Sequence, residues 1–257
     1  MSTTTQTGSG PYSFRHSPEV WAHFPTLVPL AACANGVVSS MDVSAKVAAY
    51  HKIALSRLGK GTESELPSIQ RWRRAFTQMG LRPTQYRCAA EALLRRLRKE
   101  GSLPSLHPLI DLCNALSAAF AIPMAALDLA RVEGDLTVRP AAGTEAYATF
   151  DGSLEHPEPG EIVFADSGGT AHARRWCNRQ SAASAVGHDT SAVFIVAEAL
   201  HPEATTDIEA LRDALSSDLR ELWGIVPATR ILSAEAPTLV LDAWSVDRFE
   251  TGHRERA

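Results

Sequence analysis

Apolar and polar positions recur with two different periods along this chain, and the change falls near residue 128. From Asp42, the residues Val43, Val47, Tyr50, Ala54, Leu55 and Leu58 repeat at helical spacing, closed by Gly59 and Gly61. A second helix is expected over residues 64 to 79, with Ile69, Trp72, Phe76 and Met79 inward and Gly80 as its stop. A third runs from Thr84 to Glu100, with Cys88, Leu93, Leu94 and Leu97 inward, and a fourth from Ser105 to Ala121. The N-terminal half therefore reads as helical. Beyond Asp128 come short segments between Pro/Gly/Ala turns: Gly134 to Arg139, Glu145 to Phe150, and a hairpin of Gly160 to Asp166 with His172 to Asn178. Ala192 to Ala199 is a continuous apolar run that fits a strand buried on both faces. A last helix over residues 206 to 224 leads into strands near Ala228 to Leu232 and Thr238 to Leu241. The pattern predicts an α+β fold, a helical N-terminal layer packed on a mixed or antiparallel β-sheet, with no internal repeat.

Composition limits the classes this pattern can serve. The 257 residues are 45% hydrophobic with a formal net charge of -4, which suits a folded chain rather than an acidic disordered one. The longest apolar runs, Leu27 to Ala34 and Ala192 to Ala197, fall far short of the roughly 20 residues a membrane span needs, so no membrane partner is expected. The Ser/Thr/Gly-rich start lacks a signal pattern; residues 1–17 read as a disordered tail and 18–257 as a single domain, in a cytoplasmic protein. Cys33, Cys88, Cys113 and Cys177 stand too far apart for a zinc pattern or a stapled framework, and read as buried thiols.

The charge is uneven. Between Arg71 and Lys99 stand nine basic residues and one acid, Glu91, so this stretch carries +8 while the rest of the chain carries -12. A local field presented to a polyanion explains this, and so does a pair of helices with solvated arginine faces. Several chemistries lack their motif: there is no Walker-type phosphate loop, no dinucleotide fingerprint, no His-Glu-x-x-His and no Gly-x-Ser-x-Gly. No cofactor and no metal is called for.

Polar residues remain where packing alone would not put them. Arg87, Glu91 and Arg95 lie one turn apart on a single helix face. Asn114 follows Asp111 on the flank of an otherwise apolar helix, where a half-buried amide is unfavourable without a partner. Asp128 stands just before the strands and equally fits a cap, and Asp166 ends a strand. The facing run Arg174-Arg175-Trp176-Cys177-Asn178-Arg179-Gln180 combines cations, an aromatic ring and two amides, a set suited to phosphate contacts and stacking.

The order of these segments, Tyr86-Arg87 with Glu91-Ala92-Leu93 and Arg95-Arg96, Leu103-Pro104, Leu109-Ile110-Asp111 with Asn114, Pro123 to Asp128, Gly134 to Arg139, Glu145, Gly160 to Asp166 and Arg174 to Gln180, resembles the B3/B4 tRNA-editing domain of the phenylalanyl-tRNA synthetase beta chain. It is similar in particular to free-standing proteins built from that domain, with the resemblance covering about 71–196. The resemblance implies a deacylase acting in trans on mischarged aminoacyl-tRNA, with canavanyl-tRNA(Arg) as a candidate substrate and no DNA partner. Its alternatives are a tyrosyl-tRNA(Phe) deacylase, a non-catalytic tRNA-binding module, or a small-molecule hydrolase on the same fold. An aminoacyl ester is already activated, so orienting a water and stabilising the oxyanion suffice. On this reading Asn114, Glu145 and Asp166 are expected to share a cleft as the catalytic polar groups. Arg87, Arg139, Arg174, Arg175 and Arg179 are expected on phosphate and ribose, with Trp176 either stacked on adenine or buried in the sheet.

Overall fold

The computed structural model describes residues 12–59 and 61–241. The five predicted helices are present as α2 (Ser44–Leu58), α3 (Pro67–Gln78), α4 (Ala89–Glu100), α5 (Pro108–Phe120) and α6 (Ala204–Trp223), following a short α1 (Pro18–His23). The expected fold class, α+β with mixed sheets, is the one observed. Boundaries move where a cap decides them: α4 begins five residues later than its periodicity suggests, because the Cys88 sulfur accepts the N–H of Glu91, and it ends where Gly101 turns left-handed at φ 76°.

Two sheets stand where one was expected. The six-stranded sheet has the order β12 (Thr238–Leu241), β1 (Tyr12–His16), β4 (Leu136–Pro140), β7 (Ile162–Ala165), β8 (Ala171–Arg174) and β9 (Arg179–Gln180), and is antiparallel except where β1 meets β4. The four-stranded sheet is antiparallel throughout: β11 (Ala228–Ile231), β2 (Val28–Asn35), β10 (Ala192–Ala199) and β3 (Met124–Asp128). A small hairpin, β5 (Tyr147–Ala148) with β6 (Leu154–Glu155), replaces the longer strand expected over Glu145 to Phe150.

Three sequence readings are corrected here. Residues 12–17 are not a tail: β1 is hydrogen-bonded on both sides and the Ser17 hydroxyl caps α1, while residues 1–11 lie outside the described residues. The N-terminal half is not wholly helical, because the apolar run at Leu27 to Ala34 supplies β2, a central strand beside β10. The strand expected over His172 to Asn178 stops at Arg174, where Arg175 and Trp176 take left-handed backbone at φ 48° and 58°. For residues with a Cβ this costs about 1–2 kcal/mol each.

Strand alternation places the core. Along β10, Val193 and Ile195 face α5 and α6, packing with Leu112, Leu116, Leu215 and Leu219. The alternate residues Phe194 and Val196 face the other sheet and join Phe14, Phe164 and Trp176. Phe14 on β1 bridges the layers, its ring 4.7 Å from that of Phe194 and 6.1 Å from that of Phe164. Burial of each such side chain contributes roughly 1.5–3 kcal/mol. Glu198 continues the inward row of β10, so the same alternation carries a carboxylate into the space between the sheets.

Candidate functional site

A hollow of about 260 Å³ opens at this place. The first turn of α4 (Ala89, Ala92, Leu93), Asn114 on α5, Pro123 to Ala125 and Phe164 form its walls, Val196 and Glu198 its floor, and the bend from Trp176 to Gln180 its rim. Its polar groups have different freedoms. Asn178 donates its amide to the Arg87 carbonyl at 2.7 Å and Gln180 to the Ala126 carbonyl at 2.8 Å, so both are fixed by the backbone. Asn114 is half-buried, and its side chain takes no hydrogen bond from the described residues. Glu198 is buried, and both of its bonds reach Oε1: His16 Nε2 at 2.6 Å and Trp176 Nε1 at 2.9 Å. Oε2 takes none from the described residues and is left to the hollow that Glu198 lines. Burial pushes the Cys177 thiol well above its usual pKa, so this lining sulfur is no thiolate nucleophile. The lining holds no hydroxyl and no imidazole.

The three expected catalytic groups do not share this hollow. Asn114 lines it, whereas Glu145 and Asp166 belong to the six-stranded sheet and its loops. Glu145 accepts from the N–H groups of Ala142 and Gly143, both at 2.9 Å, and from Arg139 at 2.5 Å. Burial alone would raise its pKa; these donors overcome it and hold the carboxyl at about 2. Asp166 is used up in the same manner by His172 at 3.0 Å and by the N–H groups of Glu133 and Thr170, which outweigh burial and lower its pKa. It lines a separate, open hollow of about 840 Å³ with Arg15, His16 and Arg139.

The expected cations also separate. Arg174 is buried, bonded to Glu161 at 2.9 Å and Glu155 at 2.5 Å, and is not available to a phosphate. Arg139 is tied to Glu145. Arg87 lies between the Thr84 carbonyl and Glu91, whose carboxyl Arg73 holds at 2.6 Å; burial raises the pKa of Glu91. Arg95 and Arg98 converge on buried Glu63, so much of the basic stretch is spent on internal ion pairs. Arg175 stacks over the Tyr86 ring at 4.6 Å. Arg179 is exposed, lies over the Tyr147 ring at 5.5 Å with only a long contact to Glu155 at 3.4 Å, and lines the hollow. Trp176 is fully buried and edge-on to Trp72 and Phe24, so the stacking alternative gives way to burial in the core. Asp128 serves as a cap, accepting from Ala130 and Thr190.

Asn178 and Gln180, the two amides of the run expected on phosphate and ribose, are instead bonded to backbone carbonyls at the hollow, and Glu198 was not singled out as a site residue. Glu198 had a signal: an acid in an otherwise apolar strand. Among the described residues no group of three or more His, Cys, Asp and Glu could hold a metal ion, and no helix is long and apolar enough to cross a membrane.

This geometry lies within a segment that known proteins share. A model of the B3/4 domain family matches residues 71–220, more than half of the chain. The chain belongs to the B3/4 domain family. The B3/4 segment is homologous to the phenylalanine–tRNA ligase beta subunit: that of Shewanella oneidensis is 37% identical over 71 residues, 28% of this chain and 9% of that protein. The beta subunit of Nitrobacter winogradskyi is 28% identical over 156 residues, 58% of this chain and 18% of its own length. The B3/4 chain thus spans less than a fifth of the length of these relatives. Among solved structures, an N-terminal fragment of the phenylalanyl-tRNA synthetase beta-subunit from Pyrococcus horikoshii aligns with TM-score 0.43 and 11% identity, over 83% of this chain and 49% of that one.

Proposed function

We propose that this B3/4 protein is an aminoacyl-tRNA deacylase acting in trans, hydrolysing the ester between a wrongly attached amino acid and the terminal adenosine, with canavanyl-tRNA(Arg) as the candidate substrate. The observation that carries the reading is the hollow with one carboxylate oxygen and one amide that have no partner among the described residues, on Glu198 and Asn114, inside a segment related to a tRNA ligase subunit. An activated ester needs an oriented water and a polarised carbonyl rather than a protein nucleophile, which matches a lining without hydroxyl, imidazole or thiolate. Glu198 brings negative charge to the floor and suits a cationic group, the α-ammonium or a guanidino-type side chain. Asn114 is placed to orient water or the ester carbonyl. Arg179 at the rim and the exposed Arg74, Arg82 and Lys99 supply phosphate contacts.

Incubation with a panel of correctly and wrongly charged tRNAs, canavanyl-tRNA(Arg) and tyrosyl-tRNA(Phe) included, tests the reading. At least one mischarged ester is expected to disappear faster than in buffer, and Asn114→Ala is expected to slow that loss about tenfold while tRNA binding persists. Binding of tRNA with no ester lost from any member of the panel would replace the deacylase with a binding module.

A further inference from the structure

Glu198 does not present its free oxygen to the hollow unaided. Alternation along β1 exposes Arg15 and buries Phe14 and His16, so His16 enters the inter-sheet core one step beyond the Phe14 ring. There its imidazole is held edge-on by Phe14 at 5.2 Å and Trp21 at 5.4 Å, and its one polar bond among the described residues is the 2.6 Å contact to Glu198 Oε1. Trp176 reaches the same oxygen because the left-handed bend at Arg175 and Trp176 turns its indole inward. Two donors on one carboxylate oxygen fix the side-chain torsion and leave the other oxygen facing the cavity. His16 lines the larger open hollow that Asp166 borders, whereas Glu198 lines the smaller one.

We infer that His16 is a positioning residue for the site: it clamps Glu198 Oε1 so that Oε2 meets the bound aminoacyl group. The N-terminal strand thereby supports a site whose lining lies entirely within residues 71–220. This deepens the deacylase reading and rests on it. A buried polar pair of this kind is a weak source of stability compared with apolar side chains of the same volume. The role assigned to it is therefore orientation.

The test compares His16→Leu, which removes the donor, with His16→Gln, whose amide nitrogen reaches toward Oε1. On canavanyl-tRNA(Arg), H16L is expected to lose tenfold or more in kcat/KM with uncharged tRNA(Arg) affinity unchanged within twofold, and H16Q to stay within threefold of the parent. The indole N–H resonance of Trp176, assigned by its disappearance in Trp176→Phe, is expected to shift in H16L and to stay near its native position in H16Q. Should H16L fail to fold, His16→Asn, too short to reach Oε1, takes its place. A donor-less variant at the parent rate, an H16Q as slow as H16L, or an unmoved indole signal would overturn the inference. If the parent protein cleaves no ester, the deacylase reading fails by itself, and the indole signal then decides whether His16 holds Glu198.

Discussion

The loop-bearing part of the six-stranded sheet and the space between the two sheets both bury carboxylates, but they treat them in opposite ways. Glu145 and Asp166 are each surrounded by two backbone N–H groups and a basic side chain, so both oxygens of each carboxylate are bonded and the groups brace loops. Glu198 is bonded through one oxygen only, and the other borders a cavity. Burial and charge are common to all three. What separates a structural acid from a candidate functional one is the number of lone pairs the fold leaves unspent.

The sharpest way to break that distinction is Glu198→Gln, which keeps the shape and one acceptor oxygen for His16 and Trp176 but turns the other oxygen into an NH2 donor and removes the charge. Hydrolysis of the responsive mischarged tRNA is expected to fall about a hundredfold, with tRNA binding retained. A variant that turns over normally would remove Glu198 from the site. Glu145→Ala should do the reverse: a loss of about 3 kcal/mol in urea unfolding, from stranding Arg139 and two N–H groups, with kcat/KM per folded molecule within threefold. The same carboxylate predicts an acid limit. Its folded pKa of about 2 lies below its ordinary value of 4.5. Its contribution is therefore present above pH 4.5 and is lost as the pH falls from there toward 2, a loss that Glu145→Gln should largely abolish in acid unfolding curves.

A smaller contrast lies between two neighbouring arginines. Arg174→Ala should lower the melting temperature by several degrees, because it leaves the buried Glu161 carboxylate without its guanidinium partner beside the core. Arg179→Ala should leave the melt alone and reduce the salt dependence of tRNA binding by about one unit of slope. Equal effects of the two on salt dependence would mean that the Arg174 ion pairs open in the complex. Smallest of all, Cys177→Ser should keep hydrolysis within threefold, since a thiol held protonated by desolvation has no nucleophilic part to lose.

The helices were legible because each carries a one-sided apolar stripe and an end signal, such as Gly101 after α4 or Pro108 at the first turn of α5, and these depend on residues within one or two turns. Asn114 could be singled out for a similar reason: an amide on an apolar helix flank is locally anomalous, and it lines the hollow without a partner among the described residues. The B3/4 motif order was readable along the chain, and the family match over residues 71–220 bears it out. Partnership between distant residues was not readable. Glu145, Asp166 and Glu198 are all acids near strands, and nothing in their immediate sequence says which will meet two backbone N–H groups and which a cavity. That depends on Arg139 and the loop at Ala142 and Gly143 closing over Glu145, and on His16 arriving 182 positions away from Glu198. Local periodicity and capping are set by neighbours in the chain, so the sequence by itself determined elements and family. Which polar atoms remain free is set by contacts across the two sheets, and only the tertiary structure decided it.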